Sequence, residues 1–440
     1  MKILCIGSQK FGEQVTGFFS NTQNQVRSIT DTRILESGIR KHPFDIALID
    51  DIFLKSRAKT LALVIKQINK KKKPVLLISS NRHFSHLLKM KKLGVADCIL
   101  KPYNEREFVM RVNAVGKGKK RIVCIGGGTG LFNLLIGLKQ LPQVLLTSVV
   151  SMSDDGGSSG KLSESLGLLP PGDIRRSLVA LSNAPEVMNQ IMQYRFEKKG
   201  ELEGHSFGNI FLAALAGVKG SMAEAVRSLS DILYLQGIVL PVSKALTKLV
   251  AQFEDGSLIK GESKIDRAEG RSASLSIVGL SHEPEVEAEP DAVTAILFSD
   301  YIVIGPGDLF TSIITNLIIT NIREAILHSS ATKIYICNLM TKPGETSGLD
   351  AQGHRREIVK YLGKDVLDYV LISNTKLSKK AISDYAKKNQ VPVNLASQKS
   401  ALSSTQAKII LADIGDTREL VRHNSVNLKK QIQKIIGITS

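Results

Sequence analysis

The run Ser153–Leu162, SDDGGSSGKL, places two adjacent carboxylates, Asp154 and Asp155, directly before Gly156, Gly157, Ser158 and Ser159. Paired carboxylates bind a hard cation or sugar hydroxyls, and a glycine-rich turn offers main-chain N–H groups to an anion. Upstream, Gly126, Gly127, Gly128, Thr129 and Gly130 follow the apolar run Arg121–Ile125 and open a helical pattern. That is the context of a phosphate-binding turn, where glycines admit the ligand closely and the helix N-terminus adds about half a positive charge. Thr129 can serve there either as a helix cap or as a ligand contact. The spacing G-G-G-T-G is neither G-x-G-x-x-G nor a lysine-bearing phosphate loop. Asp154 lies 28 residues beyond Gly126, past the position, about twenty residues on, where a dehydrogenase holds the ribose. NAD fits this pattern poorly, and a nucleotide or phosphate ligand fits better.

Three further runs carry polar groups of the right type. In PPGDIRR, Pro170 and Pro171 stiffen the approach, Asp173 can cap the following helix, and Arg175 and Arg176 can reach a phosphate. In GHSFGN, His205 and Asn209 beside two glycines form a corner suited to a base or sugar. Gly305, Gly307 and Asp308 follow the strand-like run Tyr301–Ile304, and Asn338 and Thr341 end the run that begins at Lys333. No nucleophile–base pair stands out, so no catalytic residue is assigned.

Elements that could hold these residues follow from the apolar pattern. Strands are expected at Ile3–Ile6, Ile46–Ile49, Val75–Ile78 and Cys98–Leu100, with helices between, as at Phe84–Leu93 and Glu105–Val112. The alternation predicts a small doubly wound α/β domain over 1–116, a basic linker at 117–120, and a larger α/β domain over 121–440. In the larger domain Leu233–Ile265 reads as β-rich, and a basic helix, Asn427–Ile436, closes the chain.

Composition narrows the partners. The chain has 440 residues, 43% of them hydrophobic, with a net charge of +18. Residues 1–120 hold 24 Lys and Arg against 9 Asp and Glu, a net of +15, leaving +3 for residues 121–440. The bulk of the chain is therefore not a basic nucleic-acid binder. No stretch approaches twenty uninterrupted apolar residues, so no membrane span is expected. Cys5, Cys98, Cys124 and Cys337 lie singly in apolar runs, as buried thiols of a cytoplasmic protein would.

The first segment resembles the receiver domain of two-component response regulators. FDIALIDD puts Asp50 at the end of the third strand, where receivers carry the phosphorylated aspartate. Ser79 matches the switch hydroxyl, and Lys101-Pro102 matches the Lys-Pro after the fifth strand. Receivers hold Mg²⁺ with an acidic pair ending strand one, and here those positions read Gly7-Ser8. Phosphorylation of Asp50 is therefore not expected, and the segment is read as a degenerate docking or dimerising module.

The ordered series IGGGTGL, DDGGSSGKL, PPGDIRRSLVALS, GHSFGN, GPGDLFTS and NLMTKPGET resembles the YvcK-type gluconeogenesis factors of the CofD-like (2-phospho-L-lactate transferase) superfamily. The resemblance runs from about Lys120 to the C-terminus. It implies a Rossmann-like core that binds a UDP-sugar, notably UDP-N-acetylglucosamine, in a regulator of carbon metabolism, cell envelope and cell shape. Gly127, Gly128 and Thr129 would face phosphates, and Asp154 and Asp155 the diphosphate or Mg²⁺. Asn209 and Gly305–Asp308 would border the nucleoside or sugar, with Asn338 and Thr341 closing the far edge. The transferase branch implies the alternative, a Mg²⁺-dependent transferase acting on a nucleotide-diphosphate-linked substrate. A homo-oligomer and a protein partner for the receiver-like domain are expected. The chain departs from the family at His423-Asn424, where a His-Asp pair is usual.

Overall fold

The computed structural model describes the chain except residues 55–57, 154, 198–199, 269–271, 273, 394–405, 419 and 439–440. Its first sheet contains β1 (Lys2–Ile6), β2 (Gln25–Ile29), β3 (Ile46–Asp50), β4 (Val75–Ser79) and β5 (Asp97–Leu100). All pairings are parallel, in the order β2-β1-β3-β4-β5. This is the flavodoxin-like order, whose reversal beside β1 opens a crevice at the carboxyl ends of β1 and β3. The intervening helices are α1 (Gln9–Phe18), α2 (Leu35–Lys41), α3 (Ala58–Lys70), α4 (Phe84–Lys92) and α5 (Glu105–Gly116). Alternate strand residues face opposite sides. Ile3, Cys5, Ile46, Leu48 and Ile78 pack with Phe108 and Val112 in one cluster. Leu4, Ile6, Ile49, Leu77 and Leu100 join a second cluster that continues into the rest of the molecule.

The second sheet comprises β6 (Lys120–Gly126), β7 (Val144–Val150), β8 (Gly237–Pro241), β12 (Tyr301–Ile304), β13 (Thr332–Ile336), β14 (Tyr369–Ser373) and β15 (Lys408–Ala412). Its order is β15-β14-β13-β12-β6-β7-β8, parallel throughout. The chain enters at β6, builds outward to β8, and returns to β12 on the other side. The switch point therefore lies between β6 and β12, where the Gly126–Gly130 and Gly305–Asp308 turns emerge side by side. The α6 (Gly128–Leu138), α7 (Gly157–Leu166), α8 (Gly172–Leu181), α9 (Glu186–Gln193), α10 (Phe207–Lys219) and α11 (Met222–Ile232) helices lie between β6 and β8. An insertion follows β8. The antiparallel strands β9 (Lys248–Phe253), β10 (Leu258–Lys260) and β11 (Ile277–Glu283) carry the short α12 (Glu262–Asp266) and lead to α13 (Pro290–Leu297).

The two sheets are joined by packed elements. The α13 helix lies against α4 and β5, and α5 contacts β7. Asn104 Nδ2 donates to Asp231 Oδ2 at 2.8 Å, and Arg106 Nη2 to the Leu235 carbonyl at 2.7 Å. Arg121 spans the junction, donating to the Ala96 carbonyl and to both carboxylate oxygens of Asp300. Beneath these lies a buried charge cluster. Arg111 bonds Asp97, the Cys98 carbonyl and Glu107 from one side, and Arg227 bonds Asp291 from the other.

All four cysteines are buried and free, and burial pushes Cys5, Cys124 and Cys337 up to about 12. Among the described residues no single helix is long and apolar enough to cross a membrane.

Candidate functional site

The glycine turn after β6 is packed as tightly as its sequence requires. A Cβ on Gly130 would lie 2.7 Å from the Pro306 carbonyl oxygen and 2.8 Å from its carbon. A Cβ on Gly127 would run into Asp173 Oδ2. Asp173 does not cap its own helix, for it is the second residue of α8. Its Oδ1 instead accepts from Gly128 N–H at 3.0 Å and from Arg176 Nη1 at 3.1 Å. A carboxylate thus stands at the α6 N-terminus, on the seat an anion's oxygen would take. Gly127 is the N-cap of α6, so Thr129 lies inside the helix and is not its cap.

The other motifs converge beside this turn. Arg175 Nε donates to Asn209 Oδ1 at 2.9 Å, and Asn209 Nδ2 donates to the hydroxyls of Ser158 and Ser159, each at 3.3 Å. Ser158 Oγ also accepts from Ser206 N–H at 3.1 Å and lies 3.3 Å from His205 Nδ1. One network therefore ties the GGSSG, PPGDIRR and GHSFGN runs together. It forms a wall of a polar cleft of about 320 Å³, lined by Gly128, Gly156, Gly157, Ser158, Ser159, Asp173, Arg175, Asn209 and Asp308 among the expected residues. Arg176, Arg195, Arg267, Asp266 and Lys342 line it as well. Five cations, Arg175, Arg176, Arg195, Arg267 and Lys342, and four carboxylates, Asp173, Glu262, Asp266 and Asp308, thus share its lining.

A second cleft of about 340 Å³ lies on the other side of Asp308 and Lys342, which line both. Thr129, Gly130, Gly307, Asn338 and Thr341 line it, with Tyr385, Gln390 and Arg422. Asn338 Nδ2 donates to the Gly307 carbonyl at 2.8 Å, and its buried Oδ1 has no hydrogen-bond partner among the described residues. Thr341 is held by main-chain and side-chain bonds to Val391. Gly126, Gly127, Gly305, Asp155 and His205 line neither cleft and sit behind the walls.

Asp154 lies outside the described residues. Asp155 Oδ1 accepts from Ser263 N–H at 2.8 Å, which pins the start of α12 to the acidic loop. Its placement is structural: it carries the insertion into position over the first cleft, where Glu262, Ser263 and Asp266 appear.

A different acidic group gathers at the bar between the clefts. Carboxylate oxygens of Asp266, Asp308 and Glu345 lie within 4.8 Å of one another. Lys342 Nζ contacts all three: Asp266, Asp308 Oδ2 at 2.6 Å and Glu345 Oε1 at 3.3 Å. Glu345 also accepts from Thr311 Oγ1 at 3.0 Å and from Phe310 N–H at 3.2 Å, anchoring the π-helical segment Leu309–Ile314. Burial, with the Glu345 and Asp173 carboxylates, pushes the Asp308 carboxyl up to about 8, and Arg176 opposes this. The side chain is nonetheless 41% exposed with Lys342 against it, and both draw it back toward the charged form. Lys342, Arg195, Arg267 and Asp266 went unassigned in the sequence. Only Lys342 carried a signal, lying inside the NLMTKPGET run.

In the first sheet Lys101 Nζ pairs with Asp50 Oδ2 at 2.8 Å, and Ser79 Oγ donates to Asp51 Oδ2. A Cβ on Gly7 would lie 2.5 Å from Phe11 Cδ1 and 3.2 Å from Asp50 Cβ, so no acidic side chain fits there. Ser8 caps α1 through Phe11 N–H.

Comparison with known proteins agrees with this architecture. The family model described as 2-phospho-L-lactate transferase CofD matches residues 122–414. A putative gluconeogenesis factor of Thermotoga maritima is 40% identical over 317 residues, covering 72% of this chain and 99% of that protein. A gluconeogenesis factor of Bacillus subtilis is 39% identical over 276 residues, covering 63% and 86%. A crystal structure of a UPF0052-family protein from Bacillus halodurans is 38% identical, with TM-score 0.68, covering 71% of this chain and 99% of that one. The matched region begins within β6, so the first sheet precedes it. The chain belongs to the gluconeogenesis factor family of CofD-like proteins.

Proposed function

We propose that the protein is a cytoplasmic, homo-oligomeric regulator that binds a UDP-sugar of the UDP-N-acetylglucosamine type. It would report that ligand's supply to carbon metabolism and the cell envelope. Residues 1–116, followed by the linker 117–120, act in this reading as a receiver-like docking module on the nucleotide-binding domain 121–440. The observation that carries the reading is the pair of clefts meeting at Asp308 and Lys342 over the sheet's switch point. A diphosphate-linked ligand has two unlike ends, and the site offers a cation-lined cleft and one with Tyr385, Asn338 and Gln390. Binding shifts a conformational equilibrium by as much as the ligand prefers one state, typically about 1–3 kcal/mol.

A second reading, Mg²⁺-dependent phospho-group transfer, draws on the Asp266, Asp308 and Glu345 cluster. A divalent ion would be held by those three carboxylates only after displacing the Lys342 ammonium, and it would then offset charge on a phosphoryl oxygen. Calorimetric titration of the full chain with UDP-N-acetylglucosamine, GDP and NAD tests the first reading. UDP-sugar binding is expected, weakened about tenfold or more in Arg176→Met, as for loss of a charge-assisted hydrogen bond. Sustained release of UMP or UDP with Mg²⁺, abolished in Asp308→Asn, would replace the regulator with the transferase.

A further inference from the structure

Eleven of the 24 Lys and Arg in the first 120 residues lie along one edge of the first sheet. In a right-handed βαβ array every helix ends at the edge where the next strand begins. At that edge the chain places Arg40-Lys41 in the last turn of α2, Lys70 at the end of α3 with Lys71–Lys73 after it, Lys91-Lys92 at the end of α4, and Lys117, Lys119 and Lys120 after α5. The opposite edge mixes charges, with Lys10, Arg33, Lys59, Arg82, Lys101 and Arg106 among Glu13, Asp31, Asp50, Asp51, Glu105 and Glu107. Cations complement helix C-termini, but one per helix serves that purpose, and here they come in runs. Lys71 Nζ does cap α2, donating to the Ile39 carbonyl at 2.5 Å. Lys41, Lys70, Lys72 and Lys92 are exposed, and their side chains form no hydrogen bond or ion pair among the described residues. The acids at this edge are few. Asp45 accepts from Lys2 N–H and lies 3.8 Å from Lys73, and Asp97 is buried against Arg111.

Lys91 Nζ packs over the Phe298 ring at 5.4 Å, whereas Lys41, Lys70, Lys72 and Lys92 stay exposed. The runs after α2, α3 and α4 lead into the adjacent strands β3, β4 and β5, which at about 4.8 Å per strand spread them over about 10 Å. The charges sit on the tips of separate turns, and the Lys70–Lys73 run lines neither of the two clefts above. They are nearly all lysines, which act as unoriented point charges and not as bidentate readers of bases. No exposed large hydrophobic is found among the rim residues, so the contact would not insert into a bilayer.

We propose that this lysine rim is a peripheral docking surface for an anionic membrane, holding the protein by electrostatics alone. The proposal stands apart from the ligand clefts. Sedimentation of the full chain with phosphatidylcholine vesicles containing phosphatidylglycerol tests it, with pure phosphatidylcholine as the blank. Binding is expected at low salt with the anionic lipid only, and is lost at 1 M salt, where the screening length falls to about 3 Å. The variant Lys41→Gln, Lys70→Gln, Lys72→Gln, Lys92→Gln should bind at least about a hundredfold more weakly, since each lysine near such a surface contributes several-fold. The control Lys10→Gln, Lys219→Gln, Lys248→Gln, Lys380→Gln removes equal charge elsewhere and should stay within about threefold. Equal loss in the control, or no vesicle binding by the natural chain, overturns the proposal. Tighter binding to duplex DNA or RNA than to vesicles at the same salt would make the rim a nucleic-acid face instead.

Discussion

Replacing Arg111 with methionine should be among the most damaging single changes available at the junction of the two sheets. Arg111 is 5% exposed and satisfies Asp97, itself 3% exposed, through bonds of 3.0 and 2.5 Å. Removing one partner of a buried ion pair leaves an uncompensated charge and costs about 3–5 kcal/mol. Glu107 makes the contrast. Burial first, then the neighbouring Asp291 carboxylate, raises its pKa, and Asp291 is raised in turn by burial. A raised carboxyl contributes stability while protonated and loses it as pH rises through the shifted pKa. Glu107→Gln should stay within about 1 kcal/mol of the natural chain, because its contact with Arg111 is long, at 3.5 Å, and burial opposes its charge. The chain has no Trp and eight Tyr, so urea unfolding is followed by tyrosine fluorescence and circular dichroism. With m near 2–3 kcal/mol/M, Arg111→Met should lower the midpoint by about 1–2 M. Its deficit should shrink as pH falls, because burial raises the Glu107 and Asp291 carboxyls and favours their neutral forms. A midpoint for Arg111→Met indistinguishable from the natural one, or an equal loss in Glu107→Gln, would refute the account of this cluster.

His423 offers a pH prediction of opposite sign. Burial lowers its pKa to about 4, against an opposing bond from Nε2 to the Cys337 carbonyl at 3.2 Å. The unfolded chain binds a proton there between about pH 6.5 and 4 and the folded chain does not, so stability falls with pH across that window by up to about 3 kcal/mol. The slope should be lost in His423→Gln when urea midpoints are compared at pH 7 and 4.5. Two glycines should answer alanine with opposite signs in thermal unfolding. Gly130→Ala, facing the Pro306 carbonyl, should lose about 1–3 kcal/mol through overpacking. Gly217→Ala, in α10 with nothing within 4 Å, should gain about 0.5–1 kcal/mol.

Buried parallel strands were legible because they read as continuous apolar runs. Tyr301–Ile304 falls where expected, and the four expected strands of the first sheet lie within a residue or so of those found. The strand that escaped, Gln25–Ile29, is an edge strand whose residues, apart from Ile29, are exposed or only half-buried. Its sequence QVRSI carries neither a run nor a clear alternation. The docking of the first sheet escaped too. Asp97, Glu107 and Arg111 look like ordinary surface charges until the fold brings Arg227 and Asp291 against them from positions more than a hundred residues away.

The site divides along the same line. Backbone requirements are local, so the glycine turns after β6 and β12 announced themselves. Which way a carboxylate points is decided by what the rest of the chain brings to it. Asp155 stands before a glycine run and Asp173 after a single glycine, and both were expected at the ligand. One instead anchors an insertion that begins about a hundred residues later, through Ser263. The other seals the glycine turn while still facing the cleft. Asn424 shows the converse. An aspartate is usual there, yet Asn424 Oδ1 accepts from Asn427 N–H at 3.0 Å as the cap of the helix Ser425–Ile436. Asparagine and aspartate cap a helix about equally well, so the departure leaves that corner of the fold intact. Asn424 lies next to His423 and Arg422, which line the second cleft, but does not line it itself.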